Sequence, residues 1–180
     1  MGTEQEKEIA TIKGRTLVLQ LSDADITRLC EKAASVGLTA EKLLESFIGD
    51  LVNGTYSNGS DERMYADGWL CRCGFEMSSE YTFLRHLINW GLLESFLESH
   101  ESIQTDQAEL ADYEQATDKD AGDLEEMDCI RENIGYHQKI LAELYDDYLK
   151  VSKNGPEKNF DEAIRAVLEW DQARTKLLNS

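Results

Sequence analysis

The feature that most constrains this chain lies between residues 123 and 153. There Leu124, Met127, Ile130, Ile134, His137, Leu141, Leu144, Tyr148 and Val151 follow one another in steps of three and four. Such spacing lines up side chains on one face of an α-helix and scatters them on a strand. A helix that long cannot hold an apolar stripe in water unaided, so it needs partners along its length. The flanking sequence supplies them. A helix over about 92–116 precedes it, separated by the turn "TDKDAGD", and Asn154-Gly155-Pro156 breaks it. A short helix over about 79–90 directs Phe83, Leu84, Leu87 and Ile88 inward and ends at Gly91. Asn159, with Glu162 three residues on, caps a last helix carrying Phe160, Ile164, Val167, Leu168 and Leu178. Residues 78–180 therefore read as a helical hairpin or bundle with further helices docked on it.

The first part of the chain has a different texture. Residues 16–21, Thr-Leu-Val-Leu-Gln-Leu, alternate Leu17, Leu19 and Leu21 with Thr16, Val18 and Gln20, the period of a strand. Ser22 caps a helix bearing Ile26, Leu29, Cys30, Ala33 and Val36, and Gly37 stops it. Thr39 caps a second helix with Leu43, Leu44, Phe47, Ile48, Leu51 and Val52 on its buried face, ended by Asn53-Gly54. The predicted fold is mainly α. A unit of one short strand and two helices covers 1–55, and an ordered connector with aromatic anchors at Tyr56, Tyr65, Trp69 and Phe75 covers 56–77. The acidic helical domain covers 78–180.

Charge sorts the functions open to such a chain. Its 36 acids against 18 bases leave a formal net charge of -18. Neutralising nucleic-acid phosphates takes clustered Lys and Arg, so the surface as a whole is wrong for that work and suited to a basic partner. The charge is also uneven: residues 1–55 hold nine acids and six bases, whereas 94–132 hold fourteen acids against Lys119 and Arg131. Glu94, Glu98, Glu101, Asp106, Glu109, Asp112 and Glu114 occur with no base among them, followed by Asp118, Asp120, Asp123, Glu125 and Glu126. Like charges one helical turn apart cost a few tenths of a kcal/mol per pair, and a basic partner is the obvious reason to carry them. No apolar run approaches the roughly 20 residues of a membrane span. The polar, acidic start "MGTEQEKEIA" is unlike a secretory signal. A cytoplasmic protein is the expectation.

Reactive chemistry finds little support. Cys71-x-Cys73 with His86 or His100 makes a poor zinc set, since structural zinc wants four ligands with cysteines two to four residues apart. In "DKDAGD" the glycine falls one place early for a calcium loop and no bidentate Glu follows. Cys30 and Cys129 read as small buried or half-buried apolar residues. The three histidines are scattered, and no phosphate loop or nucleophile elbow is present. The expectation is a protein without catalytic residues, metal or cofactor.

Residues 14–54, with the alternating strand, the "LS" step into the first helix and the "GLT" turn before the second, resemble the ribbon-helix-helix family of DNA-binding proteins. In that family two chains pair their strands into a ribbon that enters the major groove. The resemblance implies a homodimer through 16–21 and groove-facing Thr16, Val18 and Gln20. It also implies a phosphate at the Thr39 cap, with Lys13, Arg15 and Lys42 in reach of the backbone. Only Gln20 is a strong base reader, so the ribbon either touches double-stranded DNA or serves to dimerise. The run "LVNGTYSNGSDERMYADGW", joined to such a start and an acidic helical end, is similar to type II-A anti-CRISPR proteins of Firmicutes mobile elements. That resemblance implies an inhibitor of a guide-RNA-loaded CRISPR nuclease in a bacterial host, acting as a DNA mimic on a positively charged channel. The alternative it leaves open is a ribbon-helix-helix transcriptional regulator or antitoxin bound to operator DNA.

Overall fold

A computed structural model describes residues 3–75, 80–118, 120–152, 155–157 and 159–180. Eight helices have both ends among them: α1 Glu4–Ala10, α2 Asp23–Ala34, α3 Ala40–Leu51, α4 Ser60–Arg72, α5 Phe83–Asn89, α6 Leu93–Gln115, α7 Ala121–Val151 and α8 Phe160–Leu178. The chain is mainly helical, and no strand occurs among the described residues. It divides into two compact units, residues 1–79 with 174–180, and residues 80–173. The expected boundary near 77, the helix start at Ser79, Lys119 and the breaker Asn154 lie outside the described residues.

In the first unit the helix boundaries follow their caps. Ser22 Oγ accepts from Asp25 N–H at 3.2 Å, and Thr39 Oγ1 from Lys42 N–H at 3.3 Å. Gly37 (φ +75°) turns α2 into α3, and Asn53 (φ +56°) carries the chain out of α3. α2 packs on α3, and α3 on α4. Two elements differ from expectation. Residues 16–21 form no strand: a strand is defined by its neighbour, and none lies beside it among the described residues. Thr16 N–H donates to Ser180 Oγ at 3.3 Å. The stretch read as a connector contains α4, preceded by Gly59 and supported by Asp61 and Glu62 in its first turn. Its buried residue is Ala66, too small to advertise a face, while Trp69 contacts Phe47 and Phe75 with ring centroids 6.3 and 5.6 Å apart.

This unit is short of a core. Among its described apolar residues only Ala33 and Ala66 are fully buried. The face of α3 expected to be covered is partly open, with Phe47, Ile48 and Val52 exposed, as are Ile26 and Val36 flanking it on α2 and its turn. Leu17, Val18, Leu19 and Leu21 are exposed as well, Val18 by 83%. Asp50, not an apolar residue, is the buried member of α3. It accepts from the Asn58 backbone N–H at 2.6 Å and from Asn58 Nδ2 at 2.8 Å, which pins the 54–58 loop to the helix.

The second unit has the core the sequence promised. Phe83 and Leu87 of α5, Phe96 and Ile103 of α6, Leu141 and Tyr148 of α7, and Ala163 and Val167 of α8 form one buried cluster. α6 and α7 pack along each other as the hairpin. The stripe on α7 is buried or half-buried from Met127 to Tyr148, and its end residues Leu124 and Val151 are exposed. Phe83 stands edge-on to Phe96 and Tyr145 at 5.6 and 5.5 Å. The Tyr148 hydroxyl donates to Glu157 Oε2 at 2.8 Å, and Glu157 Oε1 accepts from Phe83 N–H at 3.2 Å. One carboxylate thus ties the α5 N-terminus to the end of α7, and burial pushes the Tyr148 hydroxyl up to about 12.

Candidate functional site

The acids of 94–132 are brought together by the hairpin. Glu94, Glu98, Glu101, Glu109, Asp112 and Glu114 are exposed on α6, with Asp106 half-buried. Asp106 accepts from Asn133 Nδ2 at 2.6 Å and Glu114 lies 3.5 Å from Arg131, so the two helices run past each other in fixed register. Near the hairpin tip that register brings Glu109 of α6 close to Asp123 and Glu126 of α7 around Tyr113, and Glu125 and Glu126 are exposed there. The Tyr113 hydroxyl is held above its usual range by desolvation and then by Glu126, Glu109 and Asp123 from both helices, a direct reading of their shared negative field. Arg131 is the one described base of the segment, and it is shared between Glu114 and Asp128.

Two of the predicted surface acids have a structural task as well. Asp120 Oδ1 accepts from Gly122 and Asp123 N–H at 2.7 and 3.0 Å, and Asp123 Oδ2 accepts from Asp120 N–H at 2.9 Å. The pair is a capping box for α7, so the end of "DKDAGD" is a helix start. Asp118 is exposed just before it.

The ribbon residues are placed differently. Thr16, Val18 and Gln20 are exposed on the unpaired extended segment. Arg15 donates from its guanidinium to the Leu178 carbonyl, and Lys42 pairs with Glu45. At the Thr39 cap a residue that sequence reading passed over takes the anion's place. The Glu41 carboxylate is held below its usual range first by its own backbone N–H and then by the Thr39 hydroxyl. A side-chain anion already meets the positive end of α3, where a phosphate was expected to bind. The acid-next-to-cap spacing was visible in the sequence and could have flagged it.

Lys42, distant in sequence from Lys13 and Arg15, lines one cavity of the first unit with them. Among the described residues no group of three or more His, Cys, Asp or Glu is placed to hold a metal ion. All four cysteines are free and exposed, which corrects the burial expected for Cys30 and Cys129. Cys30 faces outward from α2, whose apolar side has little against it in a single chain. No described helix is long and apolar enough to cross a membrane. Comparison with protein-family models, curated proteins and solved structures found no match to this chain.

Proposed function

We propose that the protein works by binding: its acidic hairpin occupies the basic nucleic-acid channel of a partner and blocks it. The observation that carries this reading is the register of α6 and α7, which brings Glu109, Asp123 and Glu126 from the two helices around Tyr113 at the hairpin tip, continuous with the exposed acids along α6. We further propose that the partner is a guide-loaded type II CRISPR nuclease. That step rests on the sequence resemblance to anti-CRISPR proteins and on the positive channel such an effector uses for its heteroduplex. The first unit then acts as a dimerisation element. Its exposed Leu17, Leu19 and Leu21 would find in a second copy the cover they lack, and Glu41 makes its phosphate site poor.

The test is co-purification with the guide-loaded nuclease and a DNA cleavage assay. Binding and inhibition that weaken with salt, and that fall when Glu98, Glu101, Glu109 and Asp112 are changed to their amides, support the reading. No binding at low salt together with full cleavage sinks it. The convergence of Lys13, Arg15 and Lys42 favours a second reading, a ribbon-helix-helix regulator of its own operator. That predicts specific retention of its own promoter DNA in a gel shift, lost in Arg15→Ala with Gln20→Ala.

A further inference from the structure

The first unit encloses a half-open cavity of about 890 Å³ between the α1 end of the chain, the extended segment, α3 and the loop after it. This falls within the roughly 300–1,000 Å³ range of small-molecule sites, which combine apolar walls with a few placed polar groups. The walls here are Ile12, Leu17, Ile48 and Tyr56. All four are more exposed than buried side chains of their kind should be, Ile12 by 59% and Tyr56 by 68%. Gly49 and Gly54 stand at its floor, where a Cβ on Gly49 would come within 3.5 Å of the Tyr56 carbonyl oxygen. There the loop backbone packs directly on α3.

The charged groups are three cations and two acids. Lys13, Arg15 and Lys42 meet Glu8 and Glu45, a local excess of positive charge in a chain of net charge -18. Lys42 is paired with Glu45 and Arg15 with the Leu178 carbonyl, whereas Lys13 has no partner among the described residues. Thr55 also lines the cavity, but with other atoms, because its hydroxyl oxygen is closed to solvent.

We propose that this cavity binds a small anionic amphiphile: an apolar chain or ring against Ile12, Leu17, Ile48 and Tyr56, with a carboxylate or phosphate head at Lys13. A DNA backbone would satisfy the cations and leave the four apolar walls in water, so it fits the site less well. The proposal does not rest on the acidic hairpin, none of whose residues takes part; it assigns Leu17 to the cavity and leaves Leu19 and Leu21 for a second copy.

Calorimetric titration of the full chain with decanoate, decyl phosphate and decylammonium, each below its micelle concentration, tests it. Decanoate or decyl phosphate binds with one site per chain and decylammonium does not; the preference between the two anions identifies the head group. Lys13→Gln weakens the anion about tenfold, the scale of one charge-assisted hydrogen bond, while unfolding at the same temperature as the parent. The proposal is overturned if neither anion binds, if decylammonium binds equally well, or if Lys13→Gln leaves affinity unchanged. It is also overturned if duplex DNA, and not decanoate, protects Lys13 from amine-reactive labelling.

Discussion

Gly155 gives the sharpest quantitative test of the second unit. A methyl group built on it would fall onto the Tyr148 hydroxyl oxygen, 2.8 Å from Tyr148 Cζ and 3.0 Å from Ser152 Oγ. Tyr148 is 1% exposed and wedged among Phe83, Tyr145 and Tyr81, so it cannot swing away. The backbone at Gly155 is not in the left-handed region, which leaves the collision as the whole cost. Overpacking of this kind costs about 1–3 kcal/mol. Tyr148→Phe alone loses the single hydroxyl proton shared between Glu157 Oε2 at 2.8 Å and the Tyr81 carbonyl at 3.2 Å, worth about 1 kcal/mol net. In the double variant the oxygen is gone and the nearest atom becomes Cζ at 2.8 Å, still tight but able to relax. Gly155→Ala should therefore cost less in the Tyr148→Phe background, a coupling of about 0.5–2 kcal/mol between neighbours. Urea melts of the four proteins with a shared slope measure it. Strict additivity, or a neutral Gly155→Ala, would refute the packing described for the end of α7.

Two further outcomes follow from the same coordinates. His86 is 3% exposed, its Nδ1 lies 3.0 Å from the Tyr81 hydroxyl, its Nε2 has no partner among the described residues, and its pKa is lowered from 6.5 by desolvation with Asp147 opposing. Below pH 6.5 the unfolded chain takes up a proton that the folded chain resists, so stability falls with pH by at most about 1.4 kcal/mol per unit for this group. His100 is lowered by the same cause and adds to it. His86→Gln should flatten the slope between about pH 7.5 and 5.5 in urea melts, and equal slopes in parent and variant would contradict the burial described. Sedimentation velocity should find the parent self-associated and Leu19→Glu monomeric; a parent that stays monomeric at high concentration removes the case for pairing through 16–21.

What was legible in the sequence is what one chain decides for itself. The bounds of α6, α7 and α8 follow from apolar residues at helical spacing and from caps such as Asn159, whose Oδ1 accepts from Glu162 N–H at 3.0 Å. Residues 16–21 have strand alternation but no partner strand in their own chain, so their pattern could not become a ladder. α1 and α4 escaped notice because neither lines its apolar residues along one face as α2 and α3 do. α1 is held by a capping box in which Thr3 N–H donates to Glu6 Oε2 at 2.6 Å. The acidic surface was legible because exposed carboxylates can be counted. The cavity was not, because its residues come from three separate stretches.

The hairpin charge can be tested against its plainest rival, a face kept acidic for solubility alone. Solubility is served by charge spread over the surface, whereas 94–132 carries -12 of the chain's -18. On α6, Glu98 and Glu101, and again Glu109 and Asp112, stand one turn apart. Each such pair works against the helix by a few tenths of a kcal/mol, which the apolar contacts of Phe96, Ile103, Met127 and Ile130 must offset. Changing these four acids to Gln or Asn should therefore raise the thermal midpoint of the isolated protein by a few degrees. If the face exists to meet a basic partner, the same variant loses affinity for the guide-loaded nuclease and its inhibition becomes less sensitive to salt. If the face serves solubility, the midpoint rises and inhibition is untouched. Stability gained as binding is lost is the signature that separates a binding surface from a solvated one, because only a binding surface gives the repulsion a return.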